Sequence, residues 1–188
     1  MKTQVKKRRL FVGVSLTPEQ ASKLTRVVAN LNPSSARISK AENLHLTVFF
    51  LGYVAEGEID QIKKRLKALT KDTRAFSLRF QEIIFAPKTA IKRMIWTVFE
   101  TNDDFRQLTQ DVFEELKSFT KEGYRDNPIT HVTLARFNHK DRPDGQLLNL
   151  PKSVADIKVD SLTLFESQPT RISSHYTPIA NFKLKGSL

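Results

Sequence analysis

Two segments of the chain place a histidine and a threonine two residues apart inside an otherwise apolar run: NLHLTVFFLG, which contains His45 and Thr47, and ITHVTLARFN, which contains His131 and Thr133. Both segments have the apolar composition of a buried strand. Side chains two residues apart in a strand point to the same face, so each strand would present one imidazole and one hydroxyl together. The apolar residues around them would face the opposite way, into a core. Each strand thus predicts half of a polar site.

The chemistry that such a pair of strands could perform is proton transfer at a phosphate. A histidine has an ordinary pKa near 6.5, so one imidazole can act as general acid and the other as general base. The threonine hydroxyls can donate hydrogen bonds to an anion, and a phosphodiester held there would need no metal. An isolated histidine in an apolar strand is more often a core residue bonded by a nearby threonine, but two matching segments favour an active site.

The two remaining histidines lack this setting. His175 also has a threonine two residues later, but Pro178 follows that threonine and disfavours a central strand, which predicts a residue at the surface or at the rim of a site. His139 lies in a loop-like stretch rich in charged residues and is expected to be solvated. The sequence contains neither a glycine-rich phosphate loop nor a His-Glu metal motif, so we expect no metal and no other cofactor.

Hydrophobic periodicity and turn residues predict the elements that carry these strands. Helices are expected from Thr17 to Asn32, after Gly52, and from Asn102 to Gly123. Strands are expected at Leu10–Leu16, Leu44–Leu51, Ala75–Ala86, Met94–Phe99, Ile129–Phe137, Ile157–Phe165 and Ile179–Leu184. Thr17, Pro18 and Gln20 form the most complete helix-start signal, because they combine a capping box with proline at the first helical position. The order of elements predicts an α+β fold with a loose internal duplication.

The composition limits the class of protein. The chain has 188 residues, 39% of them hydrophobic, no cysteine and a net charge of +11. This length suits one domain, residues 10–188, which we expect to be monomeric, preceded by a basic tail, residues 1–9, that is solvated or disordered. The lack of cysteine, of a signal peptide and of a membrane-spanning run predicts a soluble, cytoplasmic protein. The excess of positive charge favours a polyanionic partner such as RNA.

The paired segments resemble the two His-x-Thr signatures of the two-histidine phosphoesterase superfamily. Together with RMIWTVF and LTLFESQPTRISSHYTPIANF, they are similar to the RNA 2′,3′-cyclic phosphodiesterase family, also called 2′-5′ RNA ligases, in order along nearly the whole chain. The resemblance implies a single bilobal α+β domain with duplicated antiparallel sheets related by a pseudo-twofold axis, helices on the outside and a central cleft. It also implies hydrolysis of RNA 2′,3′-cyclic phosphate ends to 2′-phosphomonoesters without a metal.

The same resemblance assigns roles to individual residues. The matches are His45 as general acid, His131 as general base, Thr47 and Thr133 as hydroxyls that bind phosphate oxygens, and Arg136 as a substrate-binding arginine. Strict alternation from His131 would turn Arg136 to the opposite face, so a bulge or a strand end would be needed to bring it into the cleft. The chain departs from the family pattern at Phe49, where a basic residue is usual, and at Thr130, where proline is favoured.

Three alternatives stay open at this stage. Within the same fold, the enzyme could join RNA ends through a 2′-5′ linkage, or act on the cyclic phosphate of a small nucleotide. A third hypothesis is a non-catalytic RNA-binding module that stacks bases on aromatic side chains such as Phe50, Tyr53 and Trp96. Trp96 lies in an apolar strand, which predicts a core position for it rather than a binding surface.

Overall fold

The computed structural model describes residues 5–29, 36–88, 91–124, 128–137, 154, 156–169 and 174–186. In this part of the chain the strands are β1 (Lys7–Ser15), β2 (Ala36–Ile38), β3 (His45–Ala55), β4 (Phe76–Leu78), β5 (Phe80–Ala86), β6 (Met94–Phe99), β7 (His131–Phe137), β8 (Ile157–Val159), β9 (Ser161–Pro169) and β10 (Ser174–Lys183). The helices are α1 (Pro18–Val27), α2 (Ile59–Asp72) and α3 (Asp103–Leu116). None of the described helices is both long enough and apolar enough to cross a membrane.

The main sheet is antiparallel and has the strand order β10-β9-β1-β3-β7-β6-β5, with β2 also paired to β7. Its two halves meet at β3 and β7, where Leu46 is in register with Val132. On one side of this junction β1 and β3 are joined through α1, and on the other side β6 and β7 are joined through α3. The expected α+β fold with two duplicated lobes is therefore confirmed. β4 and β8 form a separate two-stranded sheet.

The hydrophobic core lies between one face of the main sheet and the helices. α2 packs against α3, β9 and β10, and α3 packs against β3. The core-facing strand residues include Leu46, Val132 and Leu164, all with no solvent exposure. Burial of one sheet face under helices leaves the other face open between the two lobes, and the histidine strands lie in the middle of that open face.

The predicted helix starts are confirmed. The backbone N–H of Gln20 donates to Thr17 Oγ1 at 3.2 Å and the side-chain oxygen of Gln20 accepts from the Thr17 N–H at 2.9 Å, which is a complete capping box. Asn102 Oδ1 accepts the N–H of Phe105 at 2.9 Å and begins α3. Side-chain caps of this kind depend on neighbouring residues only, which is why the sequence predicts them.

Several predicted boundaries differ from the structure. The segment predicted as one strand from Ala75 to Ala86 is two strands, because the chain leaves the pairing with β8 after Leu78 and joins β6 from Phe80 onward. α1 ends at Val27 instead of Asn32, which lies outside the described residues, and α3 ends at Leu116 instead of Gly123. Helix ends fray and the last turn is often a 3₁₀ helix, as at Lys117–Phe119 after α3, and apolar periodicity does not distinguish such a turn from an α-helix.

The first strand also differs, since it begins at Lys7 within the predicted tail and not at Leu10. Arg8 forms a partly buried ion pair with Glu166 of β9, so this basic residue is held by the sheet. Residues 1–4 of the predicted tail lie outside the described part of the chain.

Candidate active site

The two His-x-Thr segments meet at the junction of the lobes. In an antiparallel pair, the residues on either side of a registered pair lie opposite each other, so the Leu46–Val132 pair places His45 next to Thr133 and Thr47 next to His131. Leu46 and Val132 are fully buried on the core side, and the four polar side chains are half-buried on the open side. The structure thus brings the four predicted residues together on one face.

Each histidine ring is held by a hydrogen bond to a backbone carbonyl two residues earlier. His45 Nδ1 lies 2.7 Å from the Asn43 carbonyl oxygen, and His131 Nδ1 lies 2.8 Å from the Ile129 carbonyl oxygen. A carbonyl only accepts, so Nδ1 carries the proton in both rings. Nε2 of each neutral ring is therefore left to accept a proton, and Nε2 of each charged ring to donate one.

Aromatic side chains surround His45. Its ring centroid lies 4.8 Å from that of Phe11 and 4.9 Å from that of Tyr176, which contacts it edge-on, and Phe165 lies 5.8 Å away. The Asn43 side chain joins this side of the site to β10. Its Nδ2 donates to the Ser174 carbonyl and its Oδ1 accepts the Tyr176 N–H, both at 3.3 Å. Sequence reasoning did not find these aromatic neighbours, because three separate strands contribute them.

Trp96 contacts His131, with the two ring centroids 3.9 Å apart and the planes inclined by 26°. The prediction of a core position for Trp96 is therefore wrong: the side chain is half-buried on the open face. Its indole N–H is buried and has no hydrogen-bond partner among the described residues. The stack leaves the His131 ring little freedom to tilt, so Trp96 helps to fix its orientation.

The pKa values of both histidines are lowered. Burial lowers the pKa of His45 to about 4; the hydrogen bond to the Asn43 carbonyl opposes this shift, and the charges of His131 and Arg136 add to it. Burial also lowers the pKa of His131, opposed by its bond to the Ile129 carbonyl and reinforced by Arg136. Both rings are thus held toward the neutral form.

A β-bulge turns Arg136 to the open face. Ile95 pairs with Ala135, but the next residue of β6, Trp96, pairs with Thr133, so Leu134 is an extra residue in β7. Leu134 and Ala135 are both fully buried, and Arg136 is exposed on the side of Thr133. This is the bulge that the prediction for Arg136 required. The guanidinium also contacts Met94 Sδ, with Nη1 at 2.8 Å.

β3 carries an equivalent bulge. Gly13 pairs with Thr47 and Val12 with Phe49, so Val48 is the extra residue. Val48 and Phe49 are both buried, and Phe50 takes the position on β3 that Arg136 takes on β7, with 49% of its surface exposed. Phe49, which stands where the family usually has a basic residue, packs edge-on against Phe113. An apolar side chain therefore fits this buried position.

The remaining histidines lie elsewhere. His175 is exposed on β10, which contains Pro178 and is the edge strand of the main sheet, where proline is tolerated. His139 lies outside the described residues. In the part of the chain that the structure describes, no three His, Asp or Glu side chains are placed to share a metal ion.

The family model described as the 2′-5′ RNA ligase superfamily matches residues 17–171, which is well over half of the chain. The chain belongs to the 2′-5′ RNA ligase superfamily. Its similar relatives include an RNA 2′,3′-cyclic phosphodiesterase of Archaeoglobus fulgidus, 29% identical over 135 residues that cover 70% of this chain and 74% of the relative. The protein of the same name from Methanothermobacter thermautotrophicus is 25% identical over 186 residues, covering 94% of this chain and 98% of the relative.

Solved structures match the fold over almost the full chain. The Thermus thermophilus protein TT0787 has a TM-score of 0.80 at 22% identity, covering 96% of this chain and 100% of that one. E. coli LigT in its apo form has a TM-score of 0.76 at 22% identity, covering 95% of this chain and 98% of that one. At this identity the similarity establishes the fold, and the chemistry has to be argued from the residues themselves.

Proposed function

We propose that the protein hydrolyses RNA 2′,3′-cyclic phosphate ends to 2′-phosphomonoesters without a metal, with His45 as general acid and His131 as general base. The observation that carries this proposal is the pair of imidazoles on adjoining strands, each with Nδ1 bonded to a carbonyl and Nε2 left for proton transfer. The relatives named RNA 2′,3′-cyclic phosphodiesterase support the substrate class. A structural relative, E. coli LigT complexed with 3′-AMP, supports a nucleotide as the ligand.

The proposed reaction is a single displacement at phosphorus. His131 Nε2 removes a proton from water, whose oxygen attacks phosphorus as the bond from phosphorus to the 3′ oxygen breaks. His45 Nε2 gives its proton to the departing 3′ oxygen, which leaves a 2′-phosphomonoester and a free 3′-hydroxyl. The Thr47 and Thr133 hydroxyls and the Arg136 guanidinium would hold the non-bridging oxygens, where fixed donors stabilise the charge that develops in the transition state.

Because the pKa of His45 is lowered, the substrate itself is expected to help protonate this residue. A general acid must be protonated, but a pKa of about 4 leaves His45 mostly neutral at pH 7 before substrate binds. An anionic phosphate beside the ring favours the charged form and raises the pKa. We therefore expect the loss of activity through deprotonation of His45 to occur at lower pH in kcat/KM, which reports the free enzyme, than in kcat, which reports the bound complex.

The test is an assay of a short RNA ending in a 2′,3′-cyclic phosphate, in EDTA, with the product identified by phosphorus NMR. His45→Ala and His131→Ala are compared with His175→Ala, a matched control because His175 belongs to a third His-x-Thr and is exposed on the edge strand. We expect a 2′-phosphate from the wild type and the control only. Full activity in either site variant, or a need for added metal, would refute the proposal.

A second candidate reaction is 2′-5′ ligation, which the description of the family favours. Here an RNA 5′-hydroxyl takes the place of the attacking water, and the same two histidines move the protons. Water at bulk concentration should outcompete the hydroxyl, so hydrolysis should dominate. Supplying a 5′-hydroxyl RNA in the same assay, and measuring the joined product against the 2′-phosphate, decides between the two reactions.

A further inference from the structure

The basic residues at the start of β1 divide into two sets. Lys6 forms an ion pair with Glu56 at 3.3 Å, and Arg8 forms a partly buried ion pair with Glu166. The charges of these two residues are thus neutralised within the lobe. Because strand side chains alternate, Lys7 and Arg9 point the other way.

Lys7 and Arg9 are exposed, and neither makes an ion pair with a described residue. Arg9 makes a hydrogen bond from Nη1 to Ser167 Oγ, at 3.4 Å. Both residues share a face with Phe11, whose ring contacts His45. Two positive charges that no described carboxylate neutralises therefore lie on the same face as the two signature histidines.

The paired strand β3 adds exposed aromatic rings to this face. Tyr53 pairs with Arg9 and Phe50 pairs with Phe11. Tyr53 is 67% exposed and Phe50 is 49% exposed. Exposed apolar patches bordered by polar residues are a feature of binding surfaces. We call Lys7, Arg9, Phe50 and Tyr53 the basic-aromatic strip.

The strip leads away from the candidate active site in one direction. His45 pairs with Ser15 at one end of the two strands, followed by Phe50 beside Phe11, Tyr53 beside Arg9, and Lys7 at the far end. With a rise of about 3.3 Å per residue, Tyr53 lies up to about 26 Å along β3 from His45. This length accommodates several nucleotides.

We propose that the basic-aromatic strip binds the nucleotides that precede the cyclic phosphate in a single-stranded RNA. The inference rests on the proposed function, since it concerns the rest of the same substrate. A 2′,3′-cyclic phosphate is the 3′ end of its strand, so all other nucleotides leave the active site on the 5′ side. Phe50 and Tyr53 offer faces on which successive bases stack, and Arg9 and Lys7 offer positive charge to the phosphates. The substrate class is therefore an oligonucleotide.

The test compares a hexaribonucleotide with a mononucleotide. Binding of a fluorescent hexaribonucleotide 3′-phosphate is measured by anisotropy at several salt concentrations. Hydrolysis is measured with the hexamer cyclic phosphate and with a mononucleoside 2′,3′-cyclic phosphate. The variants are Tyr53→Ala, Tyr53→Phe and Lys7→Gln. Lys6→Gln is the matched control, because it removes the same charge from the adjacent residue, which is already paired with Glu56.

We expect Tyr53→Ala to weaken hexamer binding about 5- to 150-fold, the range for loss of one stacked base, and Tyr53→Phe to restore it. Lys7→Gln should reduce the slope of log affinity against log salt by about 0.7, the value for one phosphate contact to a single strand. Lys6→Gln should leave that slope unchanged. Hydrolysis of the mononucleotide should be the same in all four variants.

Equal losses on the mononucleotide and the hexamer would overturn the inference, because they would indicate a general structural defect. Unchanged hexamer binding in Tyr53→Ala and Lys7→Gln would also overturn the inference, because it would show that the basic-aromatic strip does not bind the RNA. Failure of the proposed function has a different signature: the wild type hydrolyses neither substrate, while hexamer binding still depends on Tyr53 and Lys7.

Discussion

Gly13 allows β1 to approach the strand that carries His45. A Cβ atom built at Gly13 would lie 2.6 Å from the Leu46 carbonyl oxygen, a contact that requires the backbone to move. Leu46 precedes Thr47 in the bulged part of β3, and its pairing with Val132 joins the two lobes. Gly13→Ala should therefore disturb both the stability of the fold and the position of His45.

The expected cost of this substitution follows from two opposing effects. Overpacking of a tight site costs about 1–3 kcal/mol, and replacing glycine by alanine stabilises by about 0.4–1 kcal/mol through the unfolded chain. Gly57→Ala is the matched control, because nothing lies within 4 Å of its Cβ position and it gains only the second effect. The difference in unfolding free energy between the two variants should therefore equal the overpacking cost, about 1–3 kcal/mol.

Urea unfolding measures this difference, provided that the slope m stays constant. In a chain of this size, 1 kcal/mol corresponds to about 2–4 °C in Tm. We also expect kcat on a cyclic-phosphate RNA to fall about tenfold or more in Gly13→Ala, because small displacements of a catalytic group are costly. If Gly13→Ala is as stable and as active as Gly57→Ala, the close approach to Leu46 has no energetic importance and the reasoning fails.

Three further predictions concern buried polar groups. The pKa of His45 is about 4 in the folded protein and about 6.5 in the unfolded chain, so the unfolded chain binds more protons between these pH values. The free energy of unfolding should therefore fall by up to about 3 kcal/mol as the pH drops from 6.5 to 4. His45→Gln should flatten this pH dependence in urea titrations, and an unchanged pH dependence would contradict the lowered pKa. Trp96→Phe should keep the stack on His131 and most of kcat, whereas Trp96→Ala should lower kcat about tenfold with little change in KM. A full kcat in Trp96→Ala would show that the stack does not position the His131 ring. Thr97→Val should raise stability by about 1 kcal/mol, because the buried hydroxyl has no partner among the described residues. Thr109→Val, whose hydroxyl donates to the Phe105 carbonyl at 2.9 Å, should lower stability, and equal effects of the two changes would refute the distinction.

Local sequence patterns predicted the helix starts and the faces of the signature strands. The capping box at Thr17 and the cap at Asn102 involve residues three positions apart, and the structure has both. Alternation placed His45 with Thr47 and His131 with Thr133, because side chains two apart share a face whatever the strand pairs with. The catalytic role of these residues stays a prediction until the variants are assayed.

The positions of Trp96 and Phe50 required the tertiary structure. An apolar strand with a tryptophan predicts burial, but Trp96 lies on the open face because β6 is paired with β7 at His131 and Thr133. Phe50 reaches the open face only through the bulge at Val48. Both results depend on strand pairing between residues far apart in sequence.

The sequence by itself determined that two imidazole and hydroxyl pairs face one way on two strands, because that follows from the covalent repeat of an extended chain. Only the tertiary structure decided that the strands adjoin through Leu46 and Val132, that a bulge at Leu134 turns Arg136 toward them, and which basic residues of β1 are neutralised by carboxylates. The physical reason is that register, bulges and ion pairs form between separate strands. Their energies depend on how closely one strand approaches another, and the local sequence of a strand does not determine that approach.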